Sequence, residues 1–157
     1  MFKFTAILLV LLSQYVFADL SVLGYQPYTP EEIEGKANPS LWKKYNFSSY
    51  SYLIKNTHCW CPSGLTRVYV VEGKVVDFEE IEYFSAMKPQ LKDLQTIDKL
   101  ISKIDSYYQK HPSTFNVRFD PSFGFPSEFF VDPEFGTFDD EFGFQILEVV
   151  PLKRSGS

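Results

Sequence analysis

The side chains best suited to chemistry are carboxylates, and they gather in the C-terminal part of the chain. Asp120, Glu128, Asp132, Glu134, Asp139, Asp140, Glu141 and Glu148 follow one another with no Lys or Arg between Arg118 and Lys153. Hard cations take oxygen ligands, so Asp132, Asp139, Asp140 and Glu141 are candidate calcium ligands. Their spacing lacks the Asp-x-Asp-x-Asp-Gly ladder ending in Glu, so calcium would be held weakly or shared with a partner or a mineral surface. The simpler reading is a solvated acidic edge, in which Asp-Pro at 120–121 and 132–133 is turn chemistry. Carboxylate pairs also cleave glycosides, but Asp139, Asp140 and Glu141 are sequence neighbours and nothing else in the sequence marks a sugar cleft. Nucleophilic catalysis has no support: there is no Gly-x-Ser-x-Gly elbow, His58 sits beside a cysteine, and His111 stands next to Pro112 at a helix exit. Zinc would need more His or Cys ligands than the chain offers, and no glycine-rich loop could cradle phosphate.

The only two cysteines lie in His58-Cys59-Trp60-Cys61-Pro62. Residues two apart in an extended strand are about 6.6 Å apart, near the limit for a disulfide, so a Cys59–Cys61 bridge needs a bend. Pro62, Ser63 and Gly64 supply one. An intermolecular disulfide, and a redox or metal site with His58, are the competing readings. Asn46-Phe47-Ser48 is a glycosylation acceptor. Trp60, Phe123, Phe125, Phe135 and Phe138 fall in Gly-, Pro- and Asp-rich turns and would form a binding face if exposed.

These residues belong to a chain of 157 with 45% hydrophobic and 18% aromatic content, including 16 Phe, which is enough apolar material for one core. A net charge of −5 and a pI near 5.0 argue against nucleic acid or an anionic membrane as the main partner. Residues 1–18 have Lys3, an apolar run from Ala6 to Leu12, and Val16-Phe17-Ala18, the pattern of a signal peptide cleaved after Ala18. The run is too short to cross a bilayer, so the protein is expected to be secreted, with no membrane span. Losing Lys3 and no acid takes the mature charge from −5 to −6. Export places the cysteines in an oxidising compartment.

The elements that must position these groups can be read from periodicity. Residues 19–37 carry Gly24, Pro27, Pro30 and Gly35 and form an extended segment. Asn38–Tyr45 fits a short helix, with Pro39 at its first position. Tyr50–Ile54, Thr66–Val71 and Lys74–Phe78 read as strands, the last two joined by a hairpin turn at Glu72-Gly73. From Leu94 to Tyr108, Leu94, Ile97, Leu100, Ile101, Ile104 and Tyr108 follow helical spacing, with Lys99, Lys103 and Asp105 opposite and Asp93 or Thr96 as cap. Strands follow around Phe115–Phe119, Phe129–Val131 and Phe142–Ile146. The predicted fold is α+β: a single antiparallel sheet of about six strands, three before and three after one long amphipathic helix, with a short N-terminal helix. The domain would span 38–150, and 151–157 would be a flexible tail.

The order of Trp42, Tyr-Ser-Tyr before Cys-x-Cys, Glu72-Gly73-Lys74-Val75, Thr96-Ile97-Asp98, Gly124-Phe125-Pro126, Val131-Asp132 and Asp139-Asp140-Glu141 resembles a secreted family, domain of unknown function 6174. The resemblance covers about residues 40–150. It implies a shared fold and export, and brings no activity, cofactor or site residue. The expectation is a secreted, non-enzymatic protein that meets a matrix, mineral or protein partner through its acidic, Phe-rich C-terminal half. The alternative is a secreted inhibitor or small-ligand carrier using the sheet face or the aromatic loops.

Overall fold

A computed structural model of the chain describes residues 25–27, 41–58, 61–83, 87–137 and 139–154. In chain order the elements are β1 (Tyr25–Pro27), α1 (Leu41–Tyr45), β2 (Tyr50–Thr57), β3 (Gly64–Val71), β4 (Lys74–Tyr83), a 3₁₀ turn (Leu91–Asp93), α2 (Ile97–Tyr108), β5 (Thr114–Phe119), β6 (Pro126–Asp132) and β7 (Phe142–Arg154). The strands form one antiparallel sheet in the order β4-β3-β2-β7-β6-β5, and β1 pairs with the end of β7. Two meanders, β2-β3-β4 and β5-β6-β7, therefore join through the first strand of one and the last strand of the other. Glu72 (φ 49°) and Gly73 (φ 74°) both lie in the left-handed region, the backbone a tight hairpin needs to match strand twist.

The α+β expectation is corrected. The molecule is predominantly β-sheet, its strands are contiguous in one sheet, and the longest helix among the described residues has only 12 residues. Leu94 has the right spacing for the helix but extended backbone (φ −85°, ψ 142°), because Thr96 caps the helix two residues later by accepting the Lys99 N–H at 3.3 Å. Of the expected tail 151–157, residues 151–154 are strand, since β7 continues to Arg154 with Leu152 buried, and 155–157 lie outside the described residues. Alternation stops being visible after Ile146 because the β2–β7 register shifts there, and exposed Leu147 falls between the residues paired with Leu53 and Ile54. Pro151 fits inside the strand because the next residue, Leu152, donates its N–H to Ser49 at 2.8 Å, which turns the missing N–H of Pro151 away from β2. Part of the segment 19–37 is strand, since Tyr25–Pro27 pairs with Leu152–Arg154. The expected leader 1–18 and the helix start at 38–40 lie outside the described residues.

The main core lies on one face of the sheet. Tyr50, Tyr52 and Ile54 of β2, Val68 and Val70 of β3, Phe129 and Val131 of β6 and Phe144 and Ile146 of β7 meet Ile97, Leu100 and Ile104 of α2. Trp42 extends this layer, packing edge-on against Tyr50 at 5.1 Å and Phe125 at 6.5 Å between ring centroids. The opposite face has a smaller cluster of Tyr69 and Leu152 with Val71 and Val150. Beside it, buried Arg67 pairs with Glu148 at 2.7 Å and reaches Ser51.

Candidate functional site

Two tyrosines on β2 set the geometry of a recess under α2. The Tyr50 hydroxyl accepts the Ile97 N–H at 2.9 Å, and the Tyr52 hydroxyl donates to the Gln95 carbonyl. Together they hold the start of α2 and the strand-like segment before it over β2. Burial pushes both phenols well above the usual tyrosine range. Where this segment arches past the ends of β2 and β3 it leaves a cavity of about 160 Å³. Its apolar wall includes Ile54, Leu94, Leu100 and Phe142, and its polar groups are Tyr52, Asn56, Thr66, Asp93, Gln95 and Lys103. Asn56 is fixed by donating its amide to the Pro62 carbonyl at 3.1 Å.

Lys103 is the cationic residue of this cavity, whose wall also includes Asp93. It has no ion-pair partner among the described residues, and its ammonium lies 3.4 Å from the centroid of the Phe142 ring. Burial lowers its pKa below the ordinary lysine value. Helical spacing assigns Lys103 to the solvent side, whereas the structure puts it at the flank of the buried stripe, half-covered, next to Leu100 and Tyr107. A lysine three residues from one apolar position and four from the next is a boundary residue, and that was the available signal.

Of the described site residues singled out by the sequence, only Cys61 is among those lining this cavity. Among the described residues, Asp132, Asp139, Asp140 and Glu141 included, no group of three or more His, Cys, Asp or Glu side chains could hold a metal ion. Asp132 and Asp140 each bury one carboxylate oxygen without a hydrogen-bond partner. Other acids have structural partners: Asp120 accepts the N–H groups of Ser122 and Phe123 in its turn, Glu128 pairs with Arg118 at 3.1 Å, and Glu148 pairs with Arg67. The three described members of the expected aromatic face differ in exposure. Phe125 is core at 4% exposure, and Phe123 packs edge-on against Tyr45 and Phe47, while Phe135 is 89% exposed. Trp60, Phe138 and Cys59 lie outside the described residues; Cys61 is not a free thiol and lines the cavity. Asn46 is exposed and has φ 50°, closing α1 by donating its N–H to the Trp42 carbonyl at 3.1 Å. Asn tolerates that left-handed helix exit, which accounts for the residue with or without a glycan. His111 (φ 54°) plays a similar backbone part after α2.

Among the described residues no helix is long and apolar enough to cross a membrane. No curated protein and no solved structure matches the chain. The family profile for DUF6174, described as a family of unknown function, matches residues 34–151, and the chain belongs to that family.

Proposed function

We propose that this is an exported protein that acts by binding, without turnover, and that its ligand is a small carboxylic acid with an apolar body held in the cavity under α2. The observation that carries this reading is the Lys103 ammonium, without an ion-pair partner among the described residues, at the wall of a cavity with an apolar side of Ile54, Leu94, Leu100 and Phe142 and a polar side. A half-buried cation is stabilised by an anion that reaches it, and since no carboxylate of the described residues, Asp93 of the cavity wall included, forms an ion pair with Lys103, a ligand carboxylate would supply one. Size narrows the class. A cavity near 150 Å³ takes a benzene-sized molecule, so about 160 Å³ suits a short-chain or monocyclic acid and is too small for a drug-sized ligand. With about nine non-hydrogen atoms at roughly 0.6 kcal/mol each, binding would reach a Kd on the order of 0.1 mM.

The leader-like residues 1–18 support export, and a Cys59–Cys61 bridge formed in that compartment would stiffen the loop whose Cys61 and Pro62 line the cavity. The contact reading loses support because of the expected aromatic face only Phe135 stands fully exposed among the described residues, and two of the acids invoked are already paired with arginines.

Thermal shift and calorimetry with benzoate, phenylacetate and hexanoate test the proposal. At 10 mM ligand the expected stabilisation is about 2.7 kcal/mol, a rise in Tm on the order of 10 °C. Lys103→Met, which keeps the apolar stem, should fold and lose the shift. Absence of any shift with all three acids, or a shift that survives Lys103→Met, overturns it.

A further inference from the structure

A second recess lies on the opposite face of the sheet, away from the α2 cavity. It is a groove of about 470 Å³ lined by His58, Asn116, Val117, Arg118, Glu128 and Phe130. Register explains its composition. Asn116 is directly opposite Phe130, and Arg118 directly opposite Glu128, so all four side chains project from the same outward face of β5 and β6. Phe130 also pairs with Gly143 of β7, and Gly143 pairs with Thr57 of β2. No side chain can grow from Gly143 without collision: an added Cβ would stand 2.6 Å from Thr57 Oγ1 and 2.9 Å from the Phe129 carbonyl. Thr57 and the Phe129 backbone close in on Gly143, so the residue paired with Phe130 on β7 puts no side chain on this face. In the groove lining His58, with the unusual φ of 50°, meets Phe130 edge to face at 4.8 Å.

We propose that this groove binds a neutral oligosaccharide. A solvent-facing sheet surface is ordinarily polar throughout, yet here a partly buried aromatic ring lies in a polar surround. The ring offers an apolar platform for the C–H face of a sugar ring, and around it stand donors on Asn116, Arg118 and His58 and an acceptor on Glu128. Charge supports the choice: Arg118 and Glu128 neutralise each other at 3.1 Å, so the groove has no uncompensated ion pair demanding an anionic or cationic ligand. Hydroxyls can both donate to Glu128 and accept from Arg118, which a purely apolar or singly charged ligand cannot do. The volume lies within the roughly 300–1,000 Å³ range of small-ligand clefts, room for about two or three sugar rings.

NMR titration of the whole mature protein with cellotetraose, chitotetraose and maltotetraose tests this. At least one should bind in the millimolar range or tighter and shift the amides of Asn116, Arg118 and Phe130. Phe130→Ala should weaken it at least tenfold, and Arg118→Ala, at a highly exposed position, should weaken it severalfold while leaving the melting temperature unchanged. Lys99→Ala on the far side of α2 should have no effect. Failure of all three sugars to saturate at 10 mM overturns the proposal, as does affinity unchanged in Arg118→Ala.

Discussion

At the residue scale, Tyr50 and Tyr52 show how one residue type does structural work beyond filling volume. Both rings are about 1% exposed, and both hydroxyls are spent on the chain just before or at the start of α2. The Ile97 N–H is among the first N–H groups of the helix, which have no partner within it, so the Tyr50 oxygen satisfies a donor that would otherwise be buried alone. Tyr50→Phe keeps the ring and removes that acceptor. The expected loss is about 1–3 kcal/mol, measured as a lower urea midpoint with an unchanged m-value. A loss under a few tenths would mean that water replaces the hydroxyl. The phenylalanines make the complementary point: Phe125 and Phe135 both follow a Gly- or Pro-containing turn signal, and one is core while the other is exposed. Turn chemistry identifies a loop and says nothing about which way its side chain faces. Phe125 is drawn inward because Trp42, distant in sequence, offers an aromatic edge there.

At the element scale two glycines test different causes of stability. Gly73 has φ 74° with nothing within 4 Å of an added Cβ, so Gly73→Ala meets only the left-handed backbone penalty and should lose about 1–2 kcal/mol. Gly143 carries no such φ, but its Cβ would strike the Phe129 backbone, and Gly143→Ala should lose about 2–3 kcal/mol with shifted amide resonances along β2, β6 and β7. Equal losses by chemical denaturation would argue against this separation. Much of the strand placement was readable: the alternation at Tyr50–Ile54, Phe115–Phe119 and Phe142–Ile146 rests on local pattern and lies in strands, and Glu72-Gly73 is the turn between β3 and β4. The long helix was not there to be read. Leu94 matches helical spacing, but its position over β2 is set by the Tyr52–Gln95 bond, a contact across 43 residues. The second half of β7 was hidden by the irregularity at Leu147 and by Pro151, which conceal period-two patterning. The Lys103 cavity and the Phe130 groove were illegible for the same reason: each is formed where separate strands or a helix meet, and no single stretch of sequence contains it.

For the molecule as a whole, the net charge of −5 counts for less than where protons are buried. Lys103 and the buried tyrosines move stability in opposite directions as pH rises. Burial lowers the folded pKa of Lys103 below its unfolded value of about 10.5. Below the folded value both states hold the proton and the cost of burying the ammonium is fully present; between the two values the folded state has released it, and stability rises with pH. Burial raises Tyr50 and Tyr52, whose unfolded value is about 10. Above pH 10 the unfolded chain loses those two protons while the folded protein keeps them, so stability falls by about 2.7 kcal/mol per pH unit, twice the slope for one group. Tyr69 is raised too, by burial first and then by the Glu79 carboxylate, and steepens the fall. Urea denaturation between pH 7 and 11.5 should therefore show a slight rise that Lys103→Met abolishes, followed by a steep loss above pH 10. Absorbance at 295 nm should show Tyr50 and Tyr52 ionising only as the protein unfolds. If the folded protein releases both protons near pH 10, their hydroxyls are open to water, and the clamp that positions α2 over the cavity is not closed in solution.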